Sequence, residues 1–68
     1  MTIPEIDIYR SATVLIGQYG GGALLEAMNR IEKDRAIQNE SGMAVWRRIA
    51  DAIETLQIPA HLSTQTAH

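Results

Sequence analysis

The stretch SGMAVWRRIADAIETL, residues 41–56, carries the clearest structural signal in the chain. At about 100° per residue, its apolar side chains fall on one face of a helix and most of its charged side chains fall on the opposite face. The apolar face contains Val45, Trp46, Ile49, Ala52, Ile53 and Leu56. Trp46 is the only tryptophan, so a helix here places it among the core residues. We predict this helix over residues 41–57, because Pro59 interrupts any longer one.

Two further helical stripes precede this stretch. The first contains Ile8, Tyr9, Ala12, Leu15, Ile16 and Tyr19, and the second contains Leu24, Ala27, Met28 and Ile31. Apolar residues three and four positions apart are typical of the buried face of an amphipathic helix. Gly20 follows the first stripe, and glycine often ends a helix because it has no Cβ to clash at positive φ. The sequence therefore predicts helices over residues 4–19 and 22–37.

Polar residues beside these stripes predict how the helices begin. Thr2 and Glu5 have the spacing of a capping box, and Asp7 is an alternative cap for the first helix. Asn39 or Ser41 is expected to cap the third helix. The conformations of the two turns, residues 20–22 and 38–42, stay open at this stage.

No stretch of the sequence shows the alternation of a strand, so we expect an all-α protein. Three helices of similar length predict a small three-helix bundle over residues 1–58. Residues 59–68 are polar and lack periodicity, and we expect them to form a disordered, flexible C-terminal tail. A domain of 68 residues has a small core, and such domains usually need an additional source of stability.

The composition argues against an enzyme, a cofactor or a metal site. The chain has no cysteine, which excludes disulfides and thiolate ligands. His61 and His68, the only histidines, lie in the predicted tail, which offers no rigid frame for a metal. The glycine run at residues 20–22 follows a helix rather than a strand and has no Lys-Ser/Thr end, so it predicts a turn rather than a phosphate loop.

The charge pattern argues against nucleic acids as ligands. The formal net charge is −2, and the basic residues alternate with acidic ones. Glu26, Arg30 and Asp34 have i,i+4 spacing and are expected to pair on the outer side of the second helix. Arg47 and Arg48 leave one alternative open, a nucleic-acid-associated module resembling a helix-turn-helix.

The sequence predicts a cytoplasmic protein. No apolar run approaches the roughly 20 residues that span a bilayer, so we expect no membrane association. The N-terminal residues lack the basic start and apolar run of a signal peptide.

One group of residues, apolar except for Arg10, has no role in the predicted core. It lies on the first helix opposite the core stripe, with one residue on the second helix: Ile3, Ile6, Arg10, Val14, Gly17 and Leu25. Isolated exposed apolar residues are common on soluble proteins, so an ordinary surface is one interpretation. The other is a protein-contact surface that binds an unidentified protein or forms a weak homodimer. The leading hypothesis is a non-catalytic helical interaction or regulatory protein.

A set of residues spread over residues 7–57 forms a characteristic pattern. It comprises Asp7, Tyr9, Ala12, Leu15, Ile16, Tyr19 and Gly20, then Ala23, Ala27 and Arg30, then Gly42, Trp46, Arg48, Ile49, Ala52, Ile53 and Leu56. This order resembles a family of short bacterial helical proteins of unknown function. The chain departs from that pattern at Gly21 and Gly22, where acidic residues are common, and at Gln38, where glycine is usual. The resemblance implies a helical fold and implies neither catalytic residues nor a cofactor.

Overall fold

A computed structural model describes residues 4–57 of the chain. They form three α-helical segments, which are α1 (Glu5–Tyr19), α2 (Ala23–Ala36) and α3 (Glu40–Gln57). A single 3-10 turn, Gly20–Gly22, joins α1 directly to α2. The described residues contain no strand, which confirms the all-α class, and the helix bounds agree with the predicted ranges to within one residue. The expected tail, Thr2 and Ile3 lie outside the described residues.

The core lies where α3 packs against both other helices, most extensively against α2. Its buried residues are Ile8, Ala12, Leu15, Ala23, Ala27, Ile49, Ala50, Ala52 and Ile53. Ile16, Leu24, Val45 and Trp46 are partly buried against this cluster. Five of the nine buried residues are alanines, and Ile53 is the largest side chain that is fully buried. Small side chains let helices approach closely, but they remove little apolar area from water.

Four residues predicted for the core are exposed: Tyr9, Tyr19, Met28 and Leu56. Tyr19 is the last residue of α1 and Leu56 lies in the last turn of α3, so both stand at helix ends. Tyr9 is 37% exposed, the smallest exposed fraction of the four.

The predicted inward face of α2 is correct except at Met28, which is exposed. Ala27 is buried, Leu24 packs against the core and Ile31 is half-buried. Ala23, which was not predicted for the core, is buried as well.

The predicted Glu26–Arg30 pair forms. Arg30 is exposed, as expected for the outer side of α2, and its guanidinium group also reaches the Trp46 ring of α3.

The turn between α1 and α2 depends on glycine. Gly20 has φ 54° and ψ −125°, a conformation that disfavours any residue with a Cβ, and its N–H donates to the carbonyl oxygen of Ile16. The Gln57 side chain donates to the carbonyl oxygen of Gly20 over 2.8 Å, which joins the end of α3 to the end of α1. Pro4 occupies the N-cap position of α1, and Asp7 lies within its first turn, so the alternative cap at Asp7 is wrong.

The turn between α2 and α3 is a network of hydrogen bonds. The Asn39 N–H donates to the Asp34 carbonyl oxygen over 2.8 Å, and the Gln38 N–H donates to the Arg35 carbonyl oxygen over 3.1 Å. This is the bonding of a Schellman motif, with Gln38 at φ 59° where glycine is usual. The Asn39 side-chain oxygen accepts from the Gly42 N–H over 3.2 Å, which confirms Asn39 as the cap of α3.

Candidate functional site

The outer face of α1 consists of Ile6, Arg10, Val14 and Gly17 and is exposed to solvent. Ile6 is 63% exposed and Val14 is 57% exposed, although both are large apolar residues. Ile3, predicted for the same surface, lies outside the described residues. Leu25 is also exposed but belongs to α2. The outer face is therefore available for contact with another molecule.

An open groove lies beside this outer face, between α1 and α3. Its volume is about 340 Å³, and its lining residues are Arg10, Ser11, Val14, Leu15, Gln18 and Trp46. We call it the Trp46 groove. Arg10 and Val14 belong both to the outer face and to the groove, so the two form one continuous surface. Sequence reasoning missed the groove, because its walls come from two helices whose packing is not visible in either helix alone.

Trp46 is held in place from the side of α2. Its ring is partly buried against the core, and the guanidinium carbon of Arg30 lies 5.3 Å from the ring centroid. This is within the range of a cation–π interaction. The Arg30 Nε atom donates to a carboxylate oxygen of Glu26 over 2.8 Å. This hydrogen bond is the main reason that the pKa of Arg30 is raised above its usual value.

Three basic side chains of the described residues have acidic neighbours on their own helices. Arg35 pairs with Glu32 over 3.2 Å, Arg30 pairs with Glu26 over 2.8 Å, and Arg10 lies 4.0 Å from Asp7. Exposed pairs of this kind contribute little to stability, but they lower the local positive potential.

The described part of the chain shows no cluster of candidate metal ligands. Within residues 4–57, no group of three or more His, Cys, Asp or Glu side chains is placed to hold a metal ion. No polar or charged side chain is buried in this range. None of the helices in the same range is long and apolar enough to cross a membrane.

Comparisons of the chain with protein families, with curated proteins and with solved structures find no match.

Proposed function

We propose that this protein is a small non-catalytic interaction or regulatory protein that acts in the cytoplasm through the outer face of α1. In this proposal the three helices form a three-helix bundle that presents the outer face and the Trp46 groove to another protein. The observation that carries the proposal is the position of Val14, which is exposed on the outer face and also lines the groove beside the only tryptophan.

The properties of the surface support a protein contact. Ile6 and Val14 expose apolar area that a partner can remove from water, and this burial is the main driving force of association. Tryptophan and arginine are enriched among the residues that dominate binding energies, and the groove contains both Trp46 and Arg10. The combination of an apolar ridge, an aromatic wall and one cation is typical of a binding surface.

The resemblance to short bacterial helical proteins of unknown function belongs to the same proposal. It implies a helical protein without catalytic residues, which agrees with a contact function. The alternative, a nucleic-acid-associated module carried by Arg47 and Arg48, needs a wider positive surface, and it finds less support because the net charge is −2 and the basic residues Arg30 and Arg35 pair with acidic residues. Sub-micromolar binding to duplex DNA or RNA that weakens steeply with added salt would favour that alternative.

Capture of partners with matched variants tests the contact surface. The tagged full chain, its Val14→Asp variant and its Ile37→Asp variant serve as baits in a native cell lysate. Ile37 is 72% exposed and lies in the turn after α2, so its substitution introduces the same charge away from the outer face. We expect Val14→Asp to lose captured protein, including copies of the chain itself, and Ile37→Asp to retain it. Circular dichroism should show unchanged helix content in both variants.

Equal capture by all three baits would contradict the proposal, because it would show that the outer face is not used. Equal loss in both variants would also contradict it, since the effect would then follow from added charge rather than from position.

A further inference from the structure

We infer that the outer face of α1 binds a second copy of this chain, with the two α1 helices antiparallel and crossing at Arg10. The inference rests on the proposed function, since it names the partner of the same surface. Three observations carry it, which are the small core, the spacing of the outer-face residues and the charge pair at its centre.

The small core gives the chain a physical reason to associate with itself. The buried cluster is made mostly of alanines, while large apolar side chains such as Ile6 and Val14 remain exposed. Small domains with a limited core are commonly stabilised by disulfides, metals or oligomerisation. Disulfides are excluded because the chain has no cysteine. A second copy is the one partner that is present whenever the protein is present.

The spacing along α1 is symmetric about Arg10. Ile6 precedes Arg10 by four residues and Val14 follows it by four, so the three lie on one ridge of the helix. A two-fold axis through Arg10 places Ile6 of one copy beside Val14 of the other, and the same contact occurs twice. Gly17 adds no side chain to the ridge, and the space beside it is open, so the second helix can approach closely there.

The Trp46 groove receives Ile6 of the other copy in this arrangement. Val14 lines the groove, and Ile6 of the second copy lies against Val14. The exposed isoleucine therefore enters an apolar site whose far wall is Trp46. We estimate that about 300–500 Å² is buried per chain, which is less than the roughly 800 Å² per partner of a standard stable interface. The dimer is accordingly weak, with a Kd in the micromolar range.

The charges near the axis are complementary between two copies. Asp7 and Arg10 are exposed and 4.0 Å apart within one chain. Three residues correspond to about 4.5 Å along a helix, so each Arg10 at the crossing lies within reach of Asp7 of the other copy. Two carboxylates and two guanidinium groups then alternate around the axis. Arg10 is the only charged residue of the ridge, and the Asp7 carboxylate beside it supplies the opposite charge at the crossing.

Charge exchange tests the inference. Arg10→Asp gives a ridge with two negative charges, and Asp7→Arg gives a ridge with two positive charges. Each variant alone should self-associate more weakly, with a Kd raised about tenfold or more by like-charge repulsion. An equimolar mixture of the two should form a heterodimer, and the double variant Asp7→Arg/Arg10→Asp should recover the homodimer. Sedimentation equilibrium measures all four, with Ile37→Asp as the matched control that dimerises like the unmodified chain.

Trp46 fluorescence provides a second readout. We expect a concentration-dependent shift of its emission in the unmodified chain, following the same Kd, and no such shift in Ile6→Ala. A chain that stays monomeric up to about 500 µM would overturn the inference, because apolar burial of the estimated size would give a detectable dimer. Unchanged dimerisation in both single charge variants, or the absence of a heterodimer in their mixture, would overturn it as well.

The two proposals fail separately. If the chain is monomeric but Val14→Asp still loses captured protein, the second copy is wrong and the contact function of the outer face stands. If Val14→Asp changes neither capture nor sedimentation, the contact function itself is wrong.

Discussion

The two turns that join the helices differ in the residues that form them. The first, Gly20–Gly22, consists entirely of glycine, and a Cβ built on any of its three residues meets nothing within 4 Å. The second contains Ile37, Gln38 and Asn39 and is held by backbone and side-chain hydrogen bonds. Each turn nevertheless contains one residue at positive φ, at 54° for Gly20 and 59° for Gln38.

The difference shows two ways in which a chain can accommodate a residue at positive φ. At Gly20 the residue itself permits positive φ, because glycine has no Cβ. At Gln38 positive φ is unfavourable, at a cost of about 1 to 2 kcal/mol for an L-residue. The surrounding hydrogen bonds stabilise Gln38 in this conformation. Positive φ in the first turn therefore depends on the residue type, and positive φ in the second turn depends on the hydrogen-bond network.

The largest effect is expected for Gly20→Ala. A Cβ at this φ and ψ is strained whatever the space around it, so we expect the free energy of unfolding to fall by about 2 kcal/mol. Gly21→Ala is the control, since Gly21 lies in the same turn without positive φ and with open space around it. It should change the stability by less than about 0.5 kcal/mol. Urea unfolding measures both, and equal effects would show that the first turn does not depend on positive φ.

The next effect concerns the packing of the second turn. A Cβ on Gly42 would overlap the Asp34 carboxylate and the Asn39 amide, both of which belong to the capping network. We expect Gly42→Ala to lower the free energy of unfolding by about 1 to 2 kcal/mol, despite the better helix propensity of alanine. Gly17→Ala makes the same change in the middle of α1, where a Cβ meets nothing.

Gly17→Ala should raise the stability by about 1 kcal/mol, because alanine is the better residue in a helix interior. Opposite signs for Gly42→Ala and Gly17→Ala in thermal unfolding would confirm that the second turn is closely packed. A stabilised Gly42→Ala variant would show that the Asp34 and Asn39 side chains move aside without cost.

The smallest effect is expected for Gln38→Gly, and it is a gain. Glycine relieves the strain at positive φ, but its greater freedom in the unfolded chain offsets part of the benefit. We expect the free energy of unfolding to rise by about 0.5 to 1 kcal/mol, as judged by urea unfolding. A loss of stability would mean that the Gln38 side chain makes a favourable contact that outweighs its backbone strain.

Local signals predicted the second turn better than the orientation of the helices. Asn39 was one of two expected caps, and the structure selects it over Ser41 because its side-chain oxygen reaches the Gly42 N–H. Positive φ at Gln38 could not be predicted from residue type, since glutamine rarely adopts it. A cap depends on neighbours in the sequence, whereas the conformation of Gln38 depends on the whole network.

Met28 is the one residue of the predicted α2 stripe that the structure leaves exposed. The apolar stripe placed it in the core beside Ala27, whereas the buried residues of α2 are Ala23 and Ala27. A helical wheel weights residues by hydrophobicity and does not show how closely two helices can approach. Alanines allow α2 and α3 to approach closely, and the cation of Arg30 gains an aromatic ring, Trp46, on the same side.

The sequence by itself determined the all-α class and the helix bounds to within one residue, and it limited the cap of α3 to Asn39 or Ser41. These follow from periodicity, glycine and side-chain hydrogen bonds, all of which act within a few positions of the chain. The tertiary structure alone decided which stripe residues remain exposed and where the Trp46 groove lies. Those features depend on contacts between residues far apart in the sequence, such as Val14 and Trp46, which line the same groove. A local sequence pattern does not show how closely the helices pack.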